Sequence, residues 1–191
     1  MPGPLLTMTI SESAQGGFSA GPRLILGHAI LELGMVVALM LGLAPLLSRD
    51  ATFIVIALSG ALILGWMAVG MLRSLPTVSI DWETRRERSG GLVKAGILLS
   101  LANPYWTIWW ATIGLGYILT CREFGLPGIT AFFLGHIAGD LAWYALVALL
   151  VSRGRHLLST RVYRCLIGSC ALFIACFAGF FAWSGLARLM A

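Results

Sequence analysis

Charge is what this sequence has least of. Among 191 residues there are 13 Lys and Arg, 8 Asp and Glu and 3 His, so 11% are charged, against about 25% in an ordinary soluble domain. With 59% hydrophobic residues and 23 glycines besides, such a chain is neither a soluble globular domain nor a disordered one. Cysteine is sparse and unpatterned: Cys121, Cys165, Cys170 and Cys176 show no C-x-x-C spacing, and they read as small buried hydrophobes, with a disulfide or thiol-relay role left open for Cys121 alone. The first 23 residues have no basic start and no long apolar run, so a signal peptide is not expected. There is no nucleophile motif either, and neither an enzyme activity nor a cofactor is expected.

What the chain does have is apolar length. Four runs, Leu24 to Leu47, Thr52 to Arg73, Ile129 to Val151 and Cys165 to Ala187, reach the roughly 20 residues a spanning helix needs. A fifth, Ala95 to Leu119, is as apolar but interrupted by Asn103-Pro104. Little remains for an extramembrane domain. Basic residues cluster in two connections, Arg73, Arg85, Arg86, Arg88 and Lys94 in one, Arg153, Arg155, Arg161 and Arg164 in the other. Both are expected on the cytoplasmic side of the inner membrane. The turns near Arg49 and Arg122 and the end at Arg188 carry one basic residue each, which places the C-terminus outside. The net charge of +5 is thus a topology signal and not a sign of nucleic-acid binding.

The rare polar letters repeat. Leu26-Gly27-His28 with Glu32-Leu33 and Leu134-Gly135-His136 with Asp140-Leu141 both read L-G-H-x-x-x-acid-L, on helices expected to run in opposite directions through the membrane. The pairs use two of the three histidines and two of the eight carboxylates. Spacing i, i+4 puts each imidazole one turn from its carboxylate. Glu32 would lie roughly 12 Å and Asp140 roughly 16 Å inside its helix, where an unpaired acid costs about 2.5 to 3.5 kcal/mol or more. Such groups carry protons, ions or substrate, unless they only fix helix rotation by pairing with each other. Helix breaks also occur in both halves, at Pro2-Gly3-Pro4 and at Asn103-Pro104. Paired interruptions point to a transporter's site, while a single one would be a packing kink. Tyr105, Trp106, Trp109 and Trp110 follow the second break, where they would either stack on an ammonium group or pack. Gly135 and Gly139 would allow a close helix approach.

With these features the chain resembles the LysE/RhtB-type amino-acid exporters. The likeness rests on Pro2-Gly3-Pro4, the Gly16-Gly17 and Gly21 run, Gly27, a polybasic loop and Asn103-Pro104 opening the second half. The resemblance implies a six-helix inverted-repeat transporter exporting amino acids or related metabolites, coupled to protons or ions. Two departures stand out. Family members usually carry an apolar segment ahead of P-G-P, so a misplaced start or a truncation is expected at Met1, and Tyr105 replaces the usual basic residue after Asn-Pro.

The expected architecture is therefore an all-α integral membrane protein with five complete spans, a partial first helix and a 3+3 inverted repeat. Residues 1–73 form the first half, 74–94 the polybasic loop and 95–191 the second half. The expected mechanism is alternating access at a midplane site. Its substrate and coupling residues would be Glu32, Asp140, His28 and His136, with Pro2, Gly3, Pro4, Asn103, Pro104, Tyr105 and Trp106 around them. The alternative is a divalent-metal exporter using His28, Glu32, His136 and Asp140 as ligands. An intramembrane enzyme or a scaffold ranks lower. The expected partners are an amino-acid-like small molecule, protons or ions and the lipid bilayer, with a homodimer left open.

Overall fold

The computed structural model describes residues 3–47, 49–77, 91–154 and 159–190, which form helices with no strand among them. Pro2 and the basic residues Arg85, Arg86, Arg88 and Arg155 lie outside the described residues. Helix α1 (Pro4–Gly16) starts on a proline with Gly3 extended before it. Proline is favoured there because a first-turn N–H has no partner within the helix. The helix stops at Gly17, whose φ of +86° is readily adopted only without a side chain.

Helix α2 (Ala20–Met40) turns at Gly42, with φ of +98°, into the short α3 (Ala44–Leu47). The run expected as one span over 24–47 is thus a helix and a capped turn, ended by Gly42 and Pro45. Helix α4 (Asp50–Ser74) follows. The interrupted run 95–119 is a composite of α5 (Leu92–Leu101), α6 (Pro104–Trp109), a π-helical turn over Trp110–Gly114 and α7 (Leu115–Arg122). Pro104 has no N–H to return to the Ser100 carbonyl. That carbonyl accepts instead from the Asn103 N–H at 3.1 Å, and the Asn103 side chain caps α6 by accepting from the Tyr105 N–H at 3.2 Å. Two long helices, α8 (Gly125–Gly154) and α9 (Thr160–Met190), complete the bundle.

Four helices, α2, α4, α8 and α9, are long and apolar enough to cross a membrane. Their outer faces carry large apolar residues, with Leu62, Trp66, Leu172 and Trp183 between 63% and 77% exposed. Lipid solvates such a surface, so the bundle is held by close packing and polar contacts rather than by hydrophobic burial. The α4–α9 seam shows the packing term: Ala57, Ala61 and Ala68 on α4 admit Ile174, Ala178 and Phe181 of α9 to full burial. Further pairings join α1 to α8, α2 to α5 and α2 to α8. Gly135 and Gly139 of α8 have nothing within 4 Å of where a side chain would begin, so among the described residues no helix makes a close approach there.

One glycine ties the seam to the break. The Pro104 ring fills the place a Cβ on Gly60 would occupy, at 2.6 Å. Gly60→Ala is expected to push the start of α6 away from α4, costing about 1–3 kcal/mol as overpacking does. A lowered midpoint in thermal unfolding of the purified protein would show it, and an unchanged midpoint would mean the proline ring yields freely.

Candidate functional site

The two repeated motifs meet. His28 and Glu32 on α2 face His136 and Asp140 on α8, near the middle of both helices. His28 Nε2 lies 3.1 Å from Glu32 Oε1 and 3.4 Å from Asp140 Oδ2, and His136 Nε2 lies 3.3 Å from Glu32 Oε2 and 3.7 Å from Asp140 Oδ2. Each acid is therefore shared between the imidazole of its own helix and that of the other.

Glu32 is the fixed member. It is 1% exposed, and its Oε1 accepts from the indole N–H groups of Trp106 at 3.1 Å and Trp110 at 3.0 Å. Indoles only donate, so these bonds suit a carboxylate held as an acceptor. Trp110 is fully buried, and its ring lies where Gly114, one turn on through the π-helical turn, has no Cβ. Glu32 Oε2 has no partner in hydrogen-bond geometry, although His136 stands 3.3 Å away. Asp140, with its side chain 30% exposed, is the acid that a ligand can reach most directly.

His28 is held from behind. The Ser100 hydroxyl donates to the Gly96 carbonyl at 2.7 Å, so at the 2.7 Å contact with His28 it accepts from Nδ1–H. Nε2 then faces two carboxylate oxygens. A bare lone pair there would be repelled by both, so the cluster must hold a proton on Nε2, a proton on a carboxyl, or a cation. His136 is clamped differently, stacked on Trp109 with ring centroids 4.9 Å apart and edge-on to Trp110 at 5.9 Å.

The cluster opens into a cavity of about 270 Å³. Its wall includes His28, Glu32, His136 and Asp140, Tyr105, Trp106 and Tyr144, and also Gly3 and Asn103 from the two helix breaks. Gly3, Pro4, Asn103 and Tyr105 share a neighbouring small void, so the breaks meet at one point beside the site. Pro104 is turned to Gly60 instead of the cavity. Ser100 and Tyr144 escaped the sequence reading. The spacing of Ser100, one turn before the proline, was the available signal for the first, and Tyr144, one turn after Asp140, for the second. Nor does the spacing of the tryptophans mark them as donors to Glu32.

Chemically, the wall carries two carboxylates and two imidazoles and, among the described residues, no Lys or Arg. It suits a proton, an ammonium group or a metal ion. His28, Glu32 and Asp140 each offer a ligand atom, all within 4.8 Å of one another.

Comparison with known proteins agrees with the membrane architecture. The chemotactic transduction protein ChpE of Pseudomonas aeruginosa (strain PAO1) is 28% identical over 181 residues, covering 93% of this chain and 88% of its own. No solved structure matches. The family described as LysE type translocator matches residues 1–185, nearly the whole of this multi-pass helical chain, and the chain belongs to that family of membrane translocators.

Proposed function

We propose that this translocator is a secondary exporter of amino acids or related small metabolites, working by alternating access around the His28, Glu32, His136 and Asp140 cluster and driven by protons or ions. The observation that carries this reading is the convergence of two mirrored His-acid motifs and two helix breaks on one cavity at mid-helix depth. Buried ionisable groups at that depth are costly and functional by default. The helix pairings support a 3+3 inverted repeat of α1, α2 and α4 with α5–α7, α8 and α9. Exchanging the halves turns the α1–α8 pairing into that of α2 with the α5–α7 composite, and leaves α2–α8 and α4–α9 unchanged. On this reading the composite is the fifth crossing, the basic loops are cytoplasmic and the C-terminus is outside.

The substrate carboxylate would meet N–H groups at the start of α1 beside Gly3, where the helix dipole favours an anion, the first N–H groups of α6 being taken up by Asn103. Its ammonium would meet Asp140 and Glu32 Oε2, which His136 faces at 3.3 Å without a hydrogen bond. The proton or cation that the cluster requires at His28 is the coupling species. Binding of the ammonium would compete with it for the same carboxylates, which links proton movement to cargo.

The test is export itself. Cells loaded with mixed dipeptides are followed by mass spectrometry of free amino acids in the medium. Wild type is expected to accelerate efflux of particular amino acids, and Asp140→Asn to lower that efflux at least about tenfold, a loss of about 1.4 kcal/mol or more on the transport barrier. Equal efflux with both proteins at equal abundance in the membrane would overturn the reading.

A second cargo is favoured by one observation. His28 presents Nε2 to two carboxylates while Nδ1 is anchored on Ser100, the arrangement in which a ligating histidine is usually held. Nitrogen and oxygen donors suit Zn²⁺ or Mn²⁺. Loss of Mn²⁺ or Zn²⁺ efflux in His28→Ala, with no amino acid exported by wild type, would select metal as the cargo.

A further inference from the structure

On the other side of α1 from the cluster lies a second cavity of about 410 Å³, larger than the central one. Pro4, Thr7, Met8, Ser11 and Gln15 line it, at spacings that form one stripe of the helix. Leu5, on a different face, lines the central cavity. Helix α1 is thus a partition. Leu99 borders both cavities, so the two come closest to each other at its level. At the far end Gln15 and Thr77 are exposed, which places the mouth where α4 ends.

The lining has a definite chemistry. Among the described residues no charged side chain reaches it. Ser11 accepts from the Tyr163 hydroxyl at 3.3 Å and keeps its own hydrogen to donate, and the Gln15 amide supplies donors and an acceptor. The Thr7, Ser74 and Thr77 hydroxyls donate to carbonyls of Gly3, Met71 and Ser74 and keep lone pairs facing outward as acceptors. Between these polar groups Met8, Met67 and Met71 offer thioether surface that reshapes around varied apolar groups. A bare dication would find no counter-charge here and would pay for desolvation. A small, net-neutral solute with hydrogen-bonding ends and an apolar body fits.

We propose that this cavity is the loading vestibule of the transporter. It takes a net-neutral amphipathic solute from the cytoplasmic end and passes it to the central site when the start of α1 shifts past Leu99. This rests on the exporter reading above, and it adds a second binding place and a preference for organic cargo over metal.

The test uses the full chain with Cys121, Cys165, Cys170 and Cys176 replaced by serine and a single thiol restored in the vestibule, as Ser11→Cys or, independently, Met71→Cys. A membrane-impermeant trimethylammonium thiosulfonate is applied to right-side-out and inside-out vesicles. Labelling is read by mass, and amino-acid efflux is measured before and after. At both positions labelling is expected to be at least about tenfold faster from the cytoplasmic face, and efflux is expected to fall at least about tenfold once the cavity is filled. Thiols that react from neither face, or only with a membrane-partitioning maleimide, would make the cavity a lipid-facing recess and overturn the proposal. Labelling that leaves a working exporter unaffected would overturn it too. A chain that exports no amino acid before any labelling would defeat the exporter reading itself, which separates the two failures.

Discussion

Glu32→Gln is expected to reduce efflux by about two orders of magnitude while leaving the protein folded. Breaking a buried charge pair costs about 3 kcal/mol or more, which is a factor of about 100 when it falls on the transport barrier. The amide keeps an oxygen for the indole N–H groups of Trp106 and Trp110, which stand 3.1 and 3.0 Å from Oε1, so the helix contacts survive. Glu32→Ala removes that oxygen as well and leaves two indole donors without their acceptor, at about 1–3 kcal/mol each. Both variants should therefore lose efflux, and the alanine variant should lose more thermal stability than the glutamine variant, which keeps the indole contacts. Efflux assays paired with thermal unfolding in detergent separate the two effects. Wild-type efflux in Glu32→Gln would remove Glu32 from the mechanism. Equal stability of the two variants would show that water or other groups satisfy the indoles when the acid is gone.

Much of this arrangement is legible in the sequence, and the rest has physical reasons for being hidden. The four long helices announce themselves because lipid demands about 20 apolar residues in a row, and such runs occur by chance very rarely. The break before α6 is equally plain, since proline cannot complete the ladder. Pairing of His28 with Glu32 and of His136 with Asp140 follows from one-turn spacing. Their meeting across two helices is suggested by the repeat, but it depends on helix rotation, which an almost uniformly apolar helix does not encode in its periodicity. Ser100 and Trp110 illustrate the limit. Each acts on a residue more than 70 positions away, and Trp110 enters a π-helical turn that no hydrophobic pattern marks. The tryptophan cluster offered two readings, stacking on substrate or packing, while the structure adds a third, hydrogen-bond donation to a buried acid. The Gly135 and Gly139 spacing was ambiguous in the same way, because small residues permit contact without requiring it.

The crossing of α2 and α5 is where the second large effect is expected. A Cβ on Gly27 would run into the backbone carbonyl of Val93, and one on Gly96 into that of Leu24, with Gly27 Cα also only 3.3 Å away. The two helices therefore touch backbone to backbone, and neither obstacle is a flexible side chain that could swing aside. Gly27→Ala and Gly96→Ala should each cost about 1–3 kcal/mol, and Gly27→Leu should abolish accumulation of folded protein. Both alanines together should cost less than the sum, because the first already forces the helices apart, with a coupling of about 0.5 kcal/mol or more. Separation also reaches the site. His28 follows Gly27 directly and Ser100 lies one turn beyond Gly96, so moving the helices apart stretches the 2.7 Å bond from His28 Nδ1 to Ser100 Oγ. Ser100→Ala should then reduce efflux in the wild-type background and add little in Gly27→Ala. If the two substitutions instead act independently on efflux and the two alanines add fully in stability, the helices absorb a methyl group without parting. The close crossing would then not be what holds His28 in register with the carboxylates.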